Sequence, residues 1–153
     1  MGIEKDIQQA NFRNEFQKMG INIIFTANWL NESIAKLLSK EDITLQQYNI
    51  LRILRGSELP LSTLQIRERM LDKMSDTSRI VDRLIVKDLV QKAACKADKR
   101  LVDITLTEKG TQLVNKLDAY NDQIDSRLKG VTEAEAATIN QILDKLRNAT
   151  LPK

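Results

Sequence analysis

The segment 75–106, SDTSRIVDRLIVKDLVQKAACKADKRLVDITL, constrains this chain more than any other. Its first part has helical periodicity, and its second part alternates apolar and polar residues with period two. Val102, Ile104 and Leu106 share one face of the second strand pattern. Lys96, Ala97, Asp98 and Lys99 supply a polar turn between the strands, without glycine. Two strands alone are marginal in water, so this hairpin must rest on helices. The helix is expected over residues 75–87, with Ser75 as its N-cap.

Capping boxes mark the helices upstream. Thr44 with Gln47 opens TLQQYNILRIL, which ends near Arg55 and Gly56, and Ser62 with Gln65 opens STLQIRERML. Pro60 keeps the connecting segment from continuing as helix, and a vestigial strand is expected near Leu59. Two helices with a tight joint have the form of a helix-turn-helix scaffold. Residues 1–40 read as one long helix, because Phe12, Phe16, Met19, Ile23, Ala27, Leu30, Ile34, Leu37 and Leu38 recur at helical spacing. Much of that stripe precedes any compact domain, which suits packing against a partner chain. Gly20 inside it costs about 1 kcal/mol relative to Ala and allows a bend. Downstream, Thr107 caps a helix carrying Leu113, Leu117, Tyr120, Ile124 and Leu128, which ends at Lys129 and Gly130. Thr132 with Glu135 opens a last helix with Ile139, Ile142, Leu143 and Leu146. The expected fold is mainly α: four helices, a two-stranded hairpin, then two helices.

Charge is uneven along the chain. Residues 62–100 hold ten Lys and Arg against six acids, whereas the whole chain of 153 residues has a net charge of +3. The remainder is therefore slightly acidic, and the positive charge sits where the helix pair and hairpin are. That is the footprint of a phosphate-binding surface, although a solvated face of mixed charge has the same composition.

Facing narrows the candidates. At about 100° per residue, Ile80, Val81, Leu84, Ile85 and Thr77 turn to one side of the third helix. Ser75, Arg79, Asp82, Arg83 and Val86 turn to the other, with Ser78 on the flank. Arginine can bridge guanine O6 and N7 or hold a phosphate, and short hydroxyl residues let a helix N-terminus approach a groove. Ser62, Ser75, Ser78, Arg79 and Arg83 are thus the candidate DNA contacts on the helices. The competing role for the arginines is an intrahelical ion pair, worth about 0.5 kcal/mol. A carboxylate facing DNA is repelled, so Asp82 is expected to pair with Arg79, Arg83 or a cation of the hairpin. At the hairpin tip, Asp98 can hold the Arg100 guanidinium forward for a narrow minor groove, with Lys96 and Lys99 beside phosphates.

Other functions are disfavoured by what the chain lacks. There is no histidine, so His-based acid–base catalysis, Ser-His-Asp and Cys-His pairs and imidazole metal sites are excluded. The single cysteine, Cys95, cannot form an internal disulfide and suits a reducing cytoplasm. Cys95 is read as an inert small residue rather than a redox switch, although Lys92 and Lys96 lie near it in sequence. No Gly-rich phosphate loop and no carboxylate cluster with metal-ligand spacing occurs, so no enzyme, cofactor or metal is expected. No apolar run approaches the roughly 18 residues a membrane helix needs. The start, MGIEKD, has no signal-peptide core and fails the myristoylation pattern.

With these residues in view, the chain resembles the MarR family of bacterial transcriptional regulators. The resemblance rests on SRIVDRLIVKDLV followed at the right distance by DKRLVDITLTEKG. Ser78 matches the usual Thr, Arg79 and Arg83 the helix arginines, Asp98 and Arg100 the wing pair, and Leu106, Thr107 and Gly110 the closing motif. Asp88 departs from the pattern, since Gly is usual there. The resemblance implies a winged helix-turn-helix lobe over 44–106 and a helical dimerisation region over 1–40 and 107–153, in one protomer of 1–153. It further implies a cytoplasmic homodimer acting on double-stranded DNA at a pseudo-palindromic operator, most often as a repressor. Many members answer small aromatic effectors, for which Phe25, Trp29 and Tyr48 are the candidate pocket residues here. Ordinary core and dimer packing is the competing role for those three. The alternative for the whole chain is a winged-helix module that docks protein and shows no salt-dependent DNA affinity.

Overall fold

The fold centres on the helix Leu45–Arg55, which is α3 in the order α1 (Ile3–Asp6), α2 (Glu15–Leu38), α3, β1 (Leu61–Ser62), α4 (Thr63–Arg69), α5 (Thr77–Val86), β2 (Val90–Ala94), β3 (Val102–Leu106), α6 (Glu108–Leu117), α7 (Asn121–Leu128) and α8 (Glu133–Arg147). The computed structural model describes residues 2–94, 98 and 102–149. The mainly α, winged helix-turn-helix class expected from the sequence is the class observed. Thr44 Oγ1 accepts the Gln47 N–H at 3.1 Å, and Gln47 Oε1 accepts the Thr44 N–H at 3.2 Å, so the expected capping box starts α3. Ile50 and Leu51 in its middle are fully buried. Around them α3 meets α2, α4, α5, β3 and α6. Each such aliphatic side chain contributes about 1.5–3 kcal/mol by leaving water.

The sheet is antiparallel and three-stranded, in the order β1-β3-β2. Leu61 pairs with Ile104 and Val90 with Leu106. Leu61, Ile104 and Val90 are all buried, so the sheet lays one face on the helices, the support that a two-stranded hairpin requires. The vestigial strand expected near Leu59 is β1, two residues further on.

Three boundaries differ from the sequence reading. Residues 1–40 are not one helix: α1 ends at Asp6, Gln8 takes a left-handed φ of 54°, and the chain restarts as helix only where the Asn14 side chain accepts the Gln17 N–H. Phe12 thereby falls outside α2, and Gly20 lies inside α2 without interrupting it. The helix expected from 107 to 129 is interrupted by a 3-10 turn, Asp118–Tyr120, between α6 and α7. The third helix is capped by Asp76, whose carboxylate accepts the Arg79 N–H at 3.2 Å, and not by Ser75. The Ser75 hydroxyl is engaged elsewhere, donating to the Asp72 carbonyl at 2.8 Å.

The chain comprises two units, Met1–Asp118 and Ala119–Lys153. In the first, Arg55 at the end of α3 donates to both Asp118 carboxylate oxygens, at 3.0 and 2.9 Å, and to the Val114 carbonyl at 3.3 Å. Residues 22–29 of α2 are exposed and include Ile23, Ile24, Phe25 and Trp29. In the second unit no described residue is buried, and Leu128, Val131, Ile139, Ile142 and Leu146 are exposed. The expected Thr132–Glu135 capping box is present there, and the Thr132 N–H and hydroxyl hold the Glu135 carboxyl below its ordinary pKa. No helix among the described residues is long and apolar enough to cross a membrane.

Candidate nucleic-acid interface

Two helices and their joint set the direction of α5. Ser62 caps α4 through a second capping box, its hydroxyl accepting the Gln65 N–H at 3.2 Å. Ser62 is half-buried, and its backbone pairs with Asp103. After α4 the chain turns around Asp72, whose carboxylate accepts the Met74 N–H at 2.9 Å. Asn49 of α3 accepts the Leu71 N–H at 2.9 Å and holds the same turn to the scaffold helix. Met70 is buried, while Leu71 and Met74 are exposed.

The faces of α5 fall as periodicity requires. Thr77, Ile80, Val81 and Leu84 are buried, Ile85 is half-buried, and Ser78, Arg79, Asp82, Arg83 and Val86 are exposed. Ser75, half-buried in the preceding turn, is less available than Ser78. Thr77 has an unpartnered hydroxyl among the described residues, although its side chain is nine-tenths buried or more.

The exit of α5 decides where the hairpin begins. The Asp88 N–H donates to the Ile85 carbonyl at 2.9 Å and the Leu89 N–H to the Leu84 carbonyl at 3.0 Å. These two bonds make a Schellman turn, which needs a left-handed residue after the C-cap. Asp88 occupies that position with φ 58°, which explains why Gly suits it. The chain then closes on α6. The Thr107 N–H donates to the Leu89 carbonyl at 3.1 Å, and its hydroxyl donates to the Asp88 carbonyl at 2.7 Å while accepting the Gly110 N–H at 3.0 Å. A Cβ on Gly110 would lie 2.0 Å from the Leu89 carbonyl oxygen. Only glycine lets α6 approach the Schellman turn this closely.

The described cations of this region divide by residue type. Every lysine from 62 to 94 has a partner within the chain. Lys73 donates to the Glu68 carbonyl, Lys92 pairs with Asp82 at 3.1 Å, and Lys87 donates to the Asp42 carbonyl and to Gln47 Oε1, the latter at 3.2 Å. The arginines differ: Arg67, Arg69, Arg79 and Arg83 are exposed and make no side-chain hydrogen bond or ion pair with the described residues. The intrahelical pairing considered for Arg79 and Arg83 is therefore absent from these residues. Of the three partners expected for Asp82, it takes the hairpin cation, Lys92. In the sequence Arg67 and Arg69 count only as charge, and their lack of a partner among the described residues becomes visible only in three dimensions.

Asp98 is half-buried, and Lys96, Lys99, Arg100 and Cys95 lie outside the described residues. Among the effector candidates, Tyr48 is buried on α3 with the Arg52 guanidinium 5.6 Å from its ring centre. Phe25 and Trp29 lie one turn apart on the exposed part of α2. No group of three or more metal-ligating side chains occurs among the described residues.

No family model matches the chain. The HTH-type transcriptional repressor IacR of Pseudomonas putida is 28% identical over 115 residues, spanning 74% of this chain and 68% of the repressor. A cysteine-to-serine mutant of MarR from E. coli, solved in complex with operator DNA, superposes with a TM-score of 0.80 at 24% identity, covering 90% of this chain and 99% of that one. BpsR of Bordetella bronchiseptica, solved to explain regulation of its DNA binding by 6-hydroxynicotinic acid, superposes with a TM-score of 0.80 at 21% identity, covering 92% and 100%. In fold the chain resembles the MarR-family regulators over most of its length.

Proposed function

We propose that this protein is a MarR-type transcription regulator that binds double-stranded DNA sequence-specifically as a homodimer. The observation that carries the reading is the outward face of α5. There Ser78, Arg79 and Arg83 stand exposed, and both arginines lack a protein partner among the described residues. Guanidinium groups held on a rigid helix and left unneutralised are suited to guanine edges and phosphates. Lys92 partly neutralises Asp82, the carboxylate within α5 on that face.

The oligomeric part of the reading rests on the apolar side chains of α2 and of the second unit. Phe16, Ile24, Phe25 and Trp29, and separately Ile139, Ile142 and Leu146, are more exposed than an isolated chain tolerates well. A second copy covering them gives a two-fold dimer whose recognition helices lie about 34 Å apart, one DNA turn. Repression, and response to a small aromatic effector near Phe25, Trp29 and Tyr48, extend the same reading. BpsR, whose DNA binding is regulated by an aromatic acid, supports that extension.

The test is salt-titrated binding to the DNA upstream of the protein's own coding region, repeated with aromatic carboxylic acids. Steep salt dependence and preference over random duplex are expected. A chain that binds neither duplex at low salt is not a DNA-binding regulator and fits the protein-docking alternative. Sedimentation at low concentration is expected to show a dimer, and a compact, folded monomer would contradict the proposed interface.

A further inference from the structure

Lys87 belongs by charge to the basic stretch, but its geometry sets it apart. It is the C-cap of α5, and its ammonium turns back into the protein. There it donates to the Asp42 main-chain carbonyl and, at 3.2 Å, to Gln47 Oε1, with the Asp42 carboxylate 3.6 Å away. Asp42 stands at the corner after α2, held in the left-handed region at φ 54°. Gln47 is buried, and its Oε1 also accepts the Thr44 N–H that starts α3. One ammonium therefore joins the end of α5 to the corner between α2 and α3. A second ammonium acts at the same helix end, since Lys109 of α6 donates to the Lys87 carbonyl at 3.0 Å. Cations at a helix C-terminus also satisfy orphan carbonyls and the helix dipole.

We propose that Lys87 is a positioning residue that sets the angle of the recognition helix against the α2–α3 corner, and that it makes no phosphate contact. The DNA half of this proposal rests on the function proposed above. The mechanical half concerns the free protein and stands without it. The salt dependence of binding separates the two roles, because each phosphate contact adds about one to the slope of log affinity against log salt. A latch changes the pose of Arg79 and Arg83 and leaves that slope alone.

The experiment uses the full-length chain with Lys87→Met, which keeps the aliphatic stem, and Lys87→Arg. Amide hydrogen exchange is measured on the free proteins. DNA binding is measured on a duplex selected by the wild-type protein from a random pool and on an unselected duplex. In Lys87→Met, exchange at Asp88 and Leu89 is expected to speed up by about tenfold or more, through loss of the two charge-assisted hydrogen bonds to the Asp42 carbonyl and Gln47 Oε1. Affinity for the selected duplex falls by a similar factor, the salt slope stays at the wild-type value, and affinity for the unselected duplex barely moves. Lys87→Arg restores part of both effects. Unchanged exchange overturns the latch, and a slope lower by about one assigns Lys87 to a phosphate instead. If wild type binds no duplex, the regulator reading fails, and the exchange result alone decides the latch.

Discussion

Asp82 on α5 and Lys92 on β2 form an ion pair at 3.1 Å that ties α5 to the base of the hairpin. Both side chains are substantially exposed, so water screens the attraction. A double-mutant cycle of Asp82→Ala and Lys92→Ala should give a coupling of about 0.2–1 kcal/mol in urea unfolding. Asp82→Ala should also tighten binding to random duplex, because a carboxylate leaves the DNA-facing side and Lys92 is released. Unaltered affinity would mean that this face does not meet DNA.

Arg79 lies on the exposed face near the start of α5 and has no protein partner among the described residues. Arg79→Ala is expected to cost about 1–3 kcal/mol on the preferred duplex and less on others, flattening the sequence preference. Binding measured across single-base variants checks this. A uniform loss would reassign Arg79 to phosphate alone.

Asp88 carries a left-handed conformation that a Cβ makes unfavourable by about 1–2 kcal/mol, less for Asp than for most residues. Asp88→Gly should raise stability by about 0.5–1 kcal/mol after the extra entropy of an unfolded glycine is counted. Chemical denaturation reads the change, and a loss of stability would show that the Asp side chain contributes more than the strain costs.

Gly110 has no room for a methyl group, since the obstacle 2.0 Å away is the Leu89 backbone rather than a flexible side chain. Gly110→Ala should destabilise by about 2–3 kcal/mol through forced displacement of α6. It should also speed amide exchange at Thr107, whose N–H donates to that same carbonyl. A thermal midpoint equal to wild type would contradict the close approach.

Thr77 buries a hydroxyl that finds no partner among the described residues. Thr77→Val keeps the shape and removes the desolvated group, so stability should rise by about 1 kcal/mol. Thr77→Ser keeps the hydroxyl, loses a buried methyl and should fall below wild type in the same denaturation series.

The sequence was most legible where one residue's chemistry acts within a few positions. The boxes Thr44–Gln47, Ser62–Gln65 and Thr132–Glu135 start helices where expected, because a hydroxyl and a carboxamide or carboxylate three residues apart satisfy backbone donors locally. The facing of α5 followed from its period for the same reason. Errors arose where two local solutions compete. Ser75 and Asp76 can both cap α5, and the bonds around Asp72 decide for Asp76. The break at Asp118–Tyr120 has no glycine or proline to announce it, and Arg55, far away in sequence, holds its first residue.

By itself, then, the sequence determined the order of elements from α3 to β3, the inward and outward faces of α5 and the concentration of positive charge at 62–100. Each depends on periodicity, capping or composition, which short-range sterics and hydrogen bonding settle. Only the tertiary structure divided the described cations from 62 to 94 into lysines with protein partners, Lys73, Lys87 and Lys92, and arginines without one, Arg67, Arg69, Arg79 and Arg83. Lys87 meets Asp42 and Gln47 across 45 and 40 residues of chain, and Lys92 meets Asp82 across a helix end. Such partners are chosen by packing, because charge alone is the same on every lysine and arginine and does not say which acceptor comes within reach.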